Sequence, residues 1–256
     1  KKILKIRQKK PIDEPPSAAL QGALIHDIIA KFSARYPTGK LPDDAGYQLQ
    51  KIAEQFLLKW SNDTYIDLFW RQKFSVILNW FLKEEDRRRD ENFRLVVEKD
   101  GSLELSIGQR LILVTARADR IELHQGNNYQ IIDYKSGNPP SKLAVSSGRA
   151  VQLLVEAAIL LKGGYNLSDE PVQDIELFYW HLKGRLTVPA KIDDVTPDDF
   201  DMATIFNQLF KLVQSFENEE QPYLSEPNLA QRPKFSEVRH LARIKEWRAF
   251  EVNDDE

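Results

Sequence analysis

Leu20, Leu24, Ile28 and Phe32 recur every four residues, the mark of a helix with one buried stripe. Ser17 stands where an N-cap would, and Pro37-Thr38-Gly39 breaks the stripe, so a helix is predicted from 17 to about 35. A helix-rich stretch follows from 43 to about 89. Its apolar positions (Leu49, Ile52, Phe56, Leu57, Trp60, Phe69, Phe74, Ile77, Leu78, Phe81) keep the 3.6-residue period. Residues 84–91 are a mixed charge run, read as a solvated helix end. The period then changes to that of strands. Residues 93–98 and 102–105 are predicted as short strands around an Asp100-Gly101 turn, and 111–123 with 129–134 as a longer hairpin around Gly126. A helix begins at Ser146 or Ser147 and runs to about Lys162, where Gly163-Gly164 stops it. Residues 174–182 form another strand, and 198–218 a helix with Ile205, Leu209, Leu212 and Phe216 on one face. A link with Pro222, Pro227 and Pro233 leads to a short helix near 241–250.

Residues 1–16, with Pro11, Pro15 and Pro16, read as an extended lead-in. The rest reads as one α/β domain over 17–256. It has a helical part at 17–92, a sheet core at 93–183, and C-terminal helices and a tail at 184–256. The chain begins at Lys1 rather than methionine, so a piece of a longer protein is expected.

Composition narrows the chemistry. The 256 residues are 42% hydrophobic and include 13 Phe, 8 Tyr and 5 Trp, enough to build a core and exclude global disorder. The absence of cysteine excludes disulfides, thiolate-bound zinc, an iron–sulfur cluster and a thiol nucleophile. No stretch reaches the length of a membrane span, and no phosphate loop of the GxxxxGK type or Gly-x-Ser-x-Gly elbow occurs. The net charge of −3 argues against a free-standing nucleic-acid binder, but its distribution is uneven. Residues 1–10 carry six bases and no acid, and 110–149 carry six bases against three acids.

The chemistry concentrates in the longer hairpin. Closed symmetrically about Gly126, it sets Leu123 against Tyr129, Ile121 against Ile131, Asp119 against Asp133 and Arg117 against Lys135, all on one face. Facing carboxylates repel by roughly 3 kcal/mol at an effective dielectric near 20, which a shared proton, nearby cations or a divalent metal would relieve. Oxygen ligands of this kind suit Mg²⁺ or Mn²⁺. Two acids and a lysine beside such an ion could hydrolyse a phosphodiester. The alternative is a surface ion-pair cluster of Asp119, Asp133 and Lys135 with Arg117 and Arg120.

The strings Ala116-Arg117-Ala118-Asp119-Arg120-Ile121 and Ile131-Ile132-Asp133-Tyr134-Lys135-Ser136-Gly137 resemble the RecB-like branch of the PD-(D/E)XK nucleases. The likeness continues through Asn138-Pro139-Pro140-Ser141-Lys142 and Ser147-Gly148-Arg149-Ala150-Val151-Gln152-Leu153, and through Gln21-Gly22-Ala23-Leu24-Ile25-His26. The closing His240-Leu241-Ala242-Arg243-Ile244-Lys245-Glu246-Trp247 resembles the end of AddB-type repair proteins. The resemblance implies a restriction-endonuclease-like core, a mixed central sheet flanked by helices with helical additions. It implies a nuclease domain C-terminal in an AddB-type protein, in the bacterial cytoplasm. Partners would be DNA, an AddA-type helicase-nuclease subunit and the N-terminal remainder of the same chain. His26, Asp119, Asp133 and the backbone carbonyl of Tyr134 would hold Mg²⁺ or Mn²⁺. Lys135 would be catalytic, and Gln152 would stand near the metal and the DNA backbone. Arg117, Arg120, Lys142 and Arg149 would contact phosphates.

Two departures stand out. Glu156 occupies the position four after the glutamine where many RecB-like domains carry tyrosine, with a salt bridge to Arg149 or an outer-sphere contact as its expected role. The cluster that some AddB-type nucleases hold on four cysteines is impossible here. Glu98 is read as a solvent-facing strand end rather than a further ligand, His124 and His181 as surface groups, and Tyr179 and Trp180 as core. Rival readings are a DNA-binding module with an idle site and a domain that docks onto a partner.

Overall fold

The computed structural model describes residues 17–60, 66–198 and 202–222. The expectations for 1–16 and 241–250 lie outside these. The chain divides into one compact unit over 15–213 and a second over 1–14 and 214–256.

Helix α1 (Ala18–Ser33) starts as expected, with the Ser17 hydroxyl accepting from the Leu20 N–H at 3.2 Å. Helices α2 (Ala45–Leu57) and α3 (Arg71–Arg88) pack with it around Ile28, Phe32, Leu49, Ile52, Phe74 and Phe81. Five strands follow: β1 (Arg94–Ile107), β2 (Arg110–His124), β3 (Asn128–Lys135), β4 (Asp174–His181) and β5 (Lys191–Asp194). They lie in that order in one sheet. The β3–β4 pair is parallel and the others antiparallel, so the expected mixed sheet flanked by helices is present.

Between β3 and β4 run α4 (Lys142–Ser146) and α5 (Gln152–Leu161). The sheet separates two cores. Ile132, Tyr134, Trp180 and Leu182 face α1–α3, whereas Ile131, Ile175, Leu177 and Tyr179 face α5. Tyr179 and Trp180 are thus core, as the sequence suggests. Helix α6 (Met202–Ser215) adds Phe206, Leu209, Phe210 and Val213 to the α5 side, while Leu212 and Phe216 lie exposed. No helix among the described residues is long and apolar enough to cross a membrane.

Three expectations fail here. The two short strands at 93–98 and 102–105 are one strand, and Gly101 lies inside it. A Cβ at Gly101 would overlap the Tyr165 ring, so this glycine marks a close approach rather than a turn. The helix expected from Ser146 or Ser147 begins only at Gln152, as α5, after the short α4 has ended at Ser146, so Arg149 lies in the bend between them. The charge run at 84–91 is solvated only in part: Asp86, Arg87, Asp90 and Glu91 are exposed, but Glu85, Arg88 and Arg89 are buried.

Candidate metal centre

The site forms where β2 and β3 part. Their pairing matches the expected register at Leu123↔Tyr129 and Ile121↔Ile131 but ends at Arg120↔Ile132. Beyond it β3 continues against β4 as far as Lys135↔His181. The Tyr134 N–H, without a β2 carbonyl to meet, donates to Asp119 Oδ2 at 3.0 Å. A carboxylate thus takes the place of a rung of the ladder.

The same point carries a phase slip. Ile112, Val114, Ala116 and Ala118 share the α5-side core with Ile121 and Leu123, so even positions before Asp119 and odd ones after it face the same way. On β1 the pairs Val97↔Arg120 and Lys99↔Ala118 leave Glu98 opposite Asp119. Glu98 has φ of 48°, a left-handed conformation uncommon for any residue but glycine. This single strained residue reverses the alternation. Arg117 accordingly does not face Lys135; its Nε pairs with Glu98 at 2.8 Å and its side chain is mostly exposed.

His26 of α1 completes one half of the site, with Nδ1 3.3 Å from Asp119 Oδ2. Burial pulls its imidazole down, but the Asp119 hydrogen bond, the Asp119 and Asp133 charges and a main-chain bond with Tyr134 hold it above its usual value. Atoms of His26, Glu98 and Asp119 lie within 4.8 Å of one another. Glu98 is therefore no solvent-facing strand end. Its carboxyl is raised by burial and by the Asp119 charge.

The other half lies on the α5 face. Lys135 Nζ donates to Asp133 Oδ1 at 2.9 Å and to Gln152 Oε1 at 3.1 Å. Gln152 Nε2 donates to the same Asp133 oxygen at 2.5 Å and to Glu156 Oε1 at 3.2 Å. Asp133 Oδ2 is 2.7 Å from Lys135 Nζ but off a hydrogen-bonding direction, so this buried oxygen lacks a well-formed bond. Burial and the neighbouring Asp119 charge push the Asp133 carboxyl up to about 6. Glu156 is 1% exposed, its Oε2 has no partner, and burial with the Asp133 charge raises it to about 8. It forms no salt bridge to Arg149, whose Nε instead donates to Ser147 Oγ.

These donors fit a hard divalent cation. Imidazole nitrogen and carboxylate oxygens converge, the acids outnumber the nearby cations, and an Asp133 oxygen is poorly satisfied.

Arg120, expected on phosphate, is 0% exposed. It enters a buried network: it binds Glu85, the Glu122 carboxylate at 2.5 Å and the Tyr134 hydroxyl at 3.3 Å. Arg88 pairs with Glu122, Arg89 with Glu85 at 3.1 Å, and His124 with Glu122 at 3.2 Å. His124 is thus a network member, not a plain surface group. Burial raises Glu122, but Arg120 and its other partners outweigh that and hold it well below the usual carboxylate range. The strand period could have placed Arg120, since it alternates with Ile121 of the α5-side core; the basic count around it hid this. Lys142 pairs with the exposed Asp198 at 2.5 Å.

A model of the PD-(D/E)XK nuclease superfamily matches residues 1–243. An uncharacterized protein of Rickettsia bellii (strain RML369-C) is 31% identical over 66% of this chain and 20% of its own length. One of Rickettsia felis (strain ATCC VR-1525 / URRWXCal2) is 30% identical over 78% of this chain and 24% of its own. The chain therefore spans about a fifth to a quarter of these relatives. A solved structure titled "Crystal structure of SSO0001" aligns over 82% of this chain and 86% of that one, with 14% identity and a TM-score of 0.29.

Proposed function

The chain belongs to the PD-(D/E)XK nuclease superfamily, and from that premise we propose that it is a divalent-metal-dependent DNA nuclease domain hydrolysing phosphodiester bonds. The observation that carries this reading is the parting of β2 and β3, where ligand atoms of His26, Glu98 and Asp119 lie within 4.8 Å of one another, with the Asp133–Lys135 pair alongside.

His26, Glu98, Asp119, Asp133 and the Tyr134 carbonyl would hold Mg²⁺ or Mn²⁺. The bound cation would supply Lewis acidity, sharpening a water for attack and shielding charge on the phosphate. The Lys135 ammonium, pinned by Asp133 and Gln152, orients the attacking water and offers a proton-bearing group to the developing oxyanion. Gln152 ties Asp133 to Glu156 and so fixes the carboxylate's rotation. The main-chain bond to Asp119 does the same across the gap.

The wider setting rests on the resemblance of the motifs to AddB-type proteins. The domain acts in processing double-strand-break ends for recombinational repair, C-terminal in a longer chain and beside an AddA-type helicase-nuclease subunit, in the bacterial cytoplasm. The much greater length of the Rickettsia relatives supports a larger parent protein. Cleavage of end-labelled single-stranded DNA with Mg²⁺ tests the chemistry. Wild-type chain should cut, EDTA should stop it, and Asp133→Ala and Lys135→Ala should each lose it. Undiminished cutting by both variants would refute the assignment.

A further inference from the structure

Residues 181–191 contain His181, Lys183, Arg185 and Lys191 and no acid. They form the turn from β4 to β5, and its root touches the site. His181 pairs in register with Lys135, and the Leu182 N–H donates to the Lys135 carbonyl at 2.8 Å. The turn is closed on itself by a Gly184 N–H to Pro189 carbonyl bond of 2.8 Å. Gly184 has φ of 65°, and a Cβ there would overlap the Lys73 side chain of α3, so the turn is seated on that helix. Lys191 pairs with Asp193, whereas Lys183 and Arg185 have no acidic partner among the described residues. Burial and the surrounding charges of Lys183, Lys191 and Arg185 lower the His181 imidazole, against Asp193 alone. At the tip Leu186 is 76% exposed, the most exposed large apolar side chain among the described residues, with Val188 beside it.

We propose that this turn is a finger that holds a single nucleic-acid strand: Lys183 and Arg185 take backbone phosphates, and Leu186 and Val188 pack against unstacked bases, leading the strand to Lys135. Unpaired cations bordering a phosphodiester site suit a polyanion. An apolar tip suits exposed base faces, which a single strand offers and a duplex buries. The direction of delivery rests on the nuclease reading above; the binding itself does not.

The test is fluorescence anisotropy of a labelled mixed-sequence oligodeoxynucleotide, single-stranded or duplex, in EDTA so that nothing is cut. Lys183→Glu with Arg185→Glu should weaken single-strand binding at least tenfold at low salt. It should also flatten the dependence of log affinity on log salt by about 1.4, for two phosphates lost at about 0.7 each. Lys183→Ala with Arg185→Ala should flatten the slope equally with a smaller loss. Leu186→Ser should weaken single-strand binding and leave duplex binding unchanged. Mn²⁺ binding, read by calorimetry, should be unchanged in all three. Wild-type affinity and slope in both charge variants would overturn the finger, as would a loss of DNA affinity accompanied by loss of Mn²⁺ binding in both. If those variants bind as wild type while Asp133→Ala abolishes cleavage, the finger fails and the nuclease reading stands. If wild type never cuts but the variants lose DNA, the reverse holds.

Discussion

Two groups of charged side chains share the same strands and follow opposite rules. Behind the sheet, Arg88, Arg89 and Arg120 meet Glu85 and Glu122, and each buried carboxylate binds arginine. The front group gathers at the gap between β2 and β3 and reaches both faces: Glu98 and Asp119 with His26 and the outlying Arg117, Asp133 and Glu156 with Lys135, so acid is in excess. Asp119 and Arg120 are neighbours in sequence, yet one belongs to each group. Glu122 is driven below the usual carboxylate range and Asp133 and Glu156 above it. All three are buried, so burial does not separate them; neutralisation by partners does. The group neutralised by arginine is a brace, and the acid-rich one is the proposed cation site.

The largest break in that contrast comes from the front. Asp119→Asn or Asp133→Asn should lower Mg²⁺-dependent cleavage by roughly 10³-fold or more, about 4 kcal/mol of barrier, measured in single turnovers. Urea unfolding of the metal-free chain should show neither variant less stable, since each removes uncompensated charge. Behind the sheet the outcome inverts. Arg120→Met leaves Glu85 with Arg89 alone and Glu122 with Arg88 and His124, and should cost about 3 kcal/mol in the same unfolding measurement. Replacing Glu85, Arg88, Arg89, Arg120 and Glu122 together by apolar residues of similar size, so that no buried charge is left alone, should cost far less per charge removed.

A pH series sharpens the comparison with smaller effects. Asp133, at about 6, and Glu156, at about 8, hold protons in the native chain that the unfolded chain releases near ordinary carboxylate values. Native protons exceed unfolded ones across this range, so metal-free stability falls as pH rises from about 5 to 8. His26, raised above 6.5, adds in the same direction, its contribution being lost as pH climbs through its folded value. Glu156→Gln should flatten the slope, by on the order of 1–2 kcal/mol at pH 8 in urea titrations. Glu122 has the opposite sign: its contribution is present above the unfolded value of 4.5 and is lost only in strong acid. The smallest effect is at the surface, where Lys142→Ala should leave the urea midpoint unchanged, because its partner Asp198 is 89% exposed.

Local signals read well from sequence. The Ser17 cap, the Leu20–Phe32 stripe and the Gly126 hairpin with its register need only neighbours along the chain. The strand period also joined Asp133 to Lys135. It failed past Asp119, because left-handed Glu98 sits on a different strand and no local pattern announces its conformation. For the same reason the period sets Arg117 against Lys135 and leaves Glu98 to solvent, whereas Arg117 and Glu98 pair with each other. Arg120 and the run around Glu85 misled because charge at a position says nothing of whether a distant opposite charge will bury it. Gln152 and Glu156, four residues apart, do share α5, but the break before it that leaves Arg149 outside any helix has no proline to mark it.

The central claim is that the gap between β2 and β3 binds a divalent cation. Titrating Mn²⁺ into the chain while following the free-ion electron paramagnetic resonance signal tests it directly. The wild-type chain should deplete that signal, and Asp119→Asn should weaken binding at least tenfold with the fold intact by circular dichroism. Equal depletion by both proteins, or none by the wild type, would contradict it.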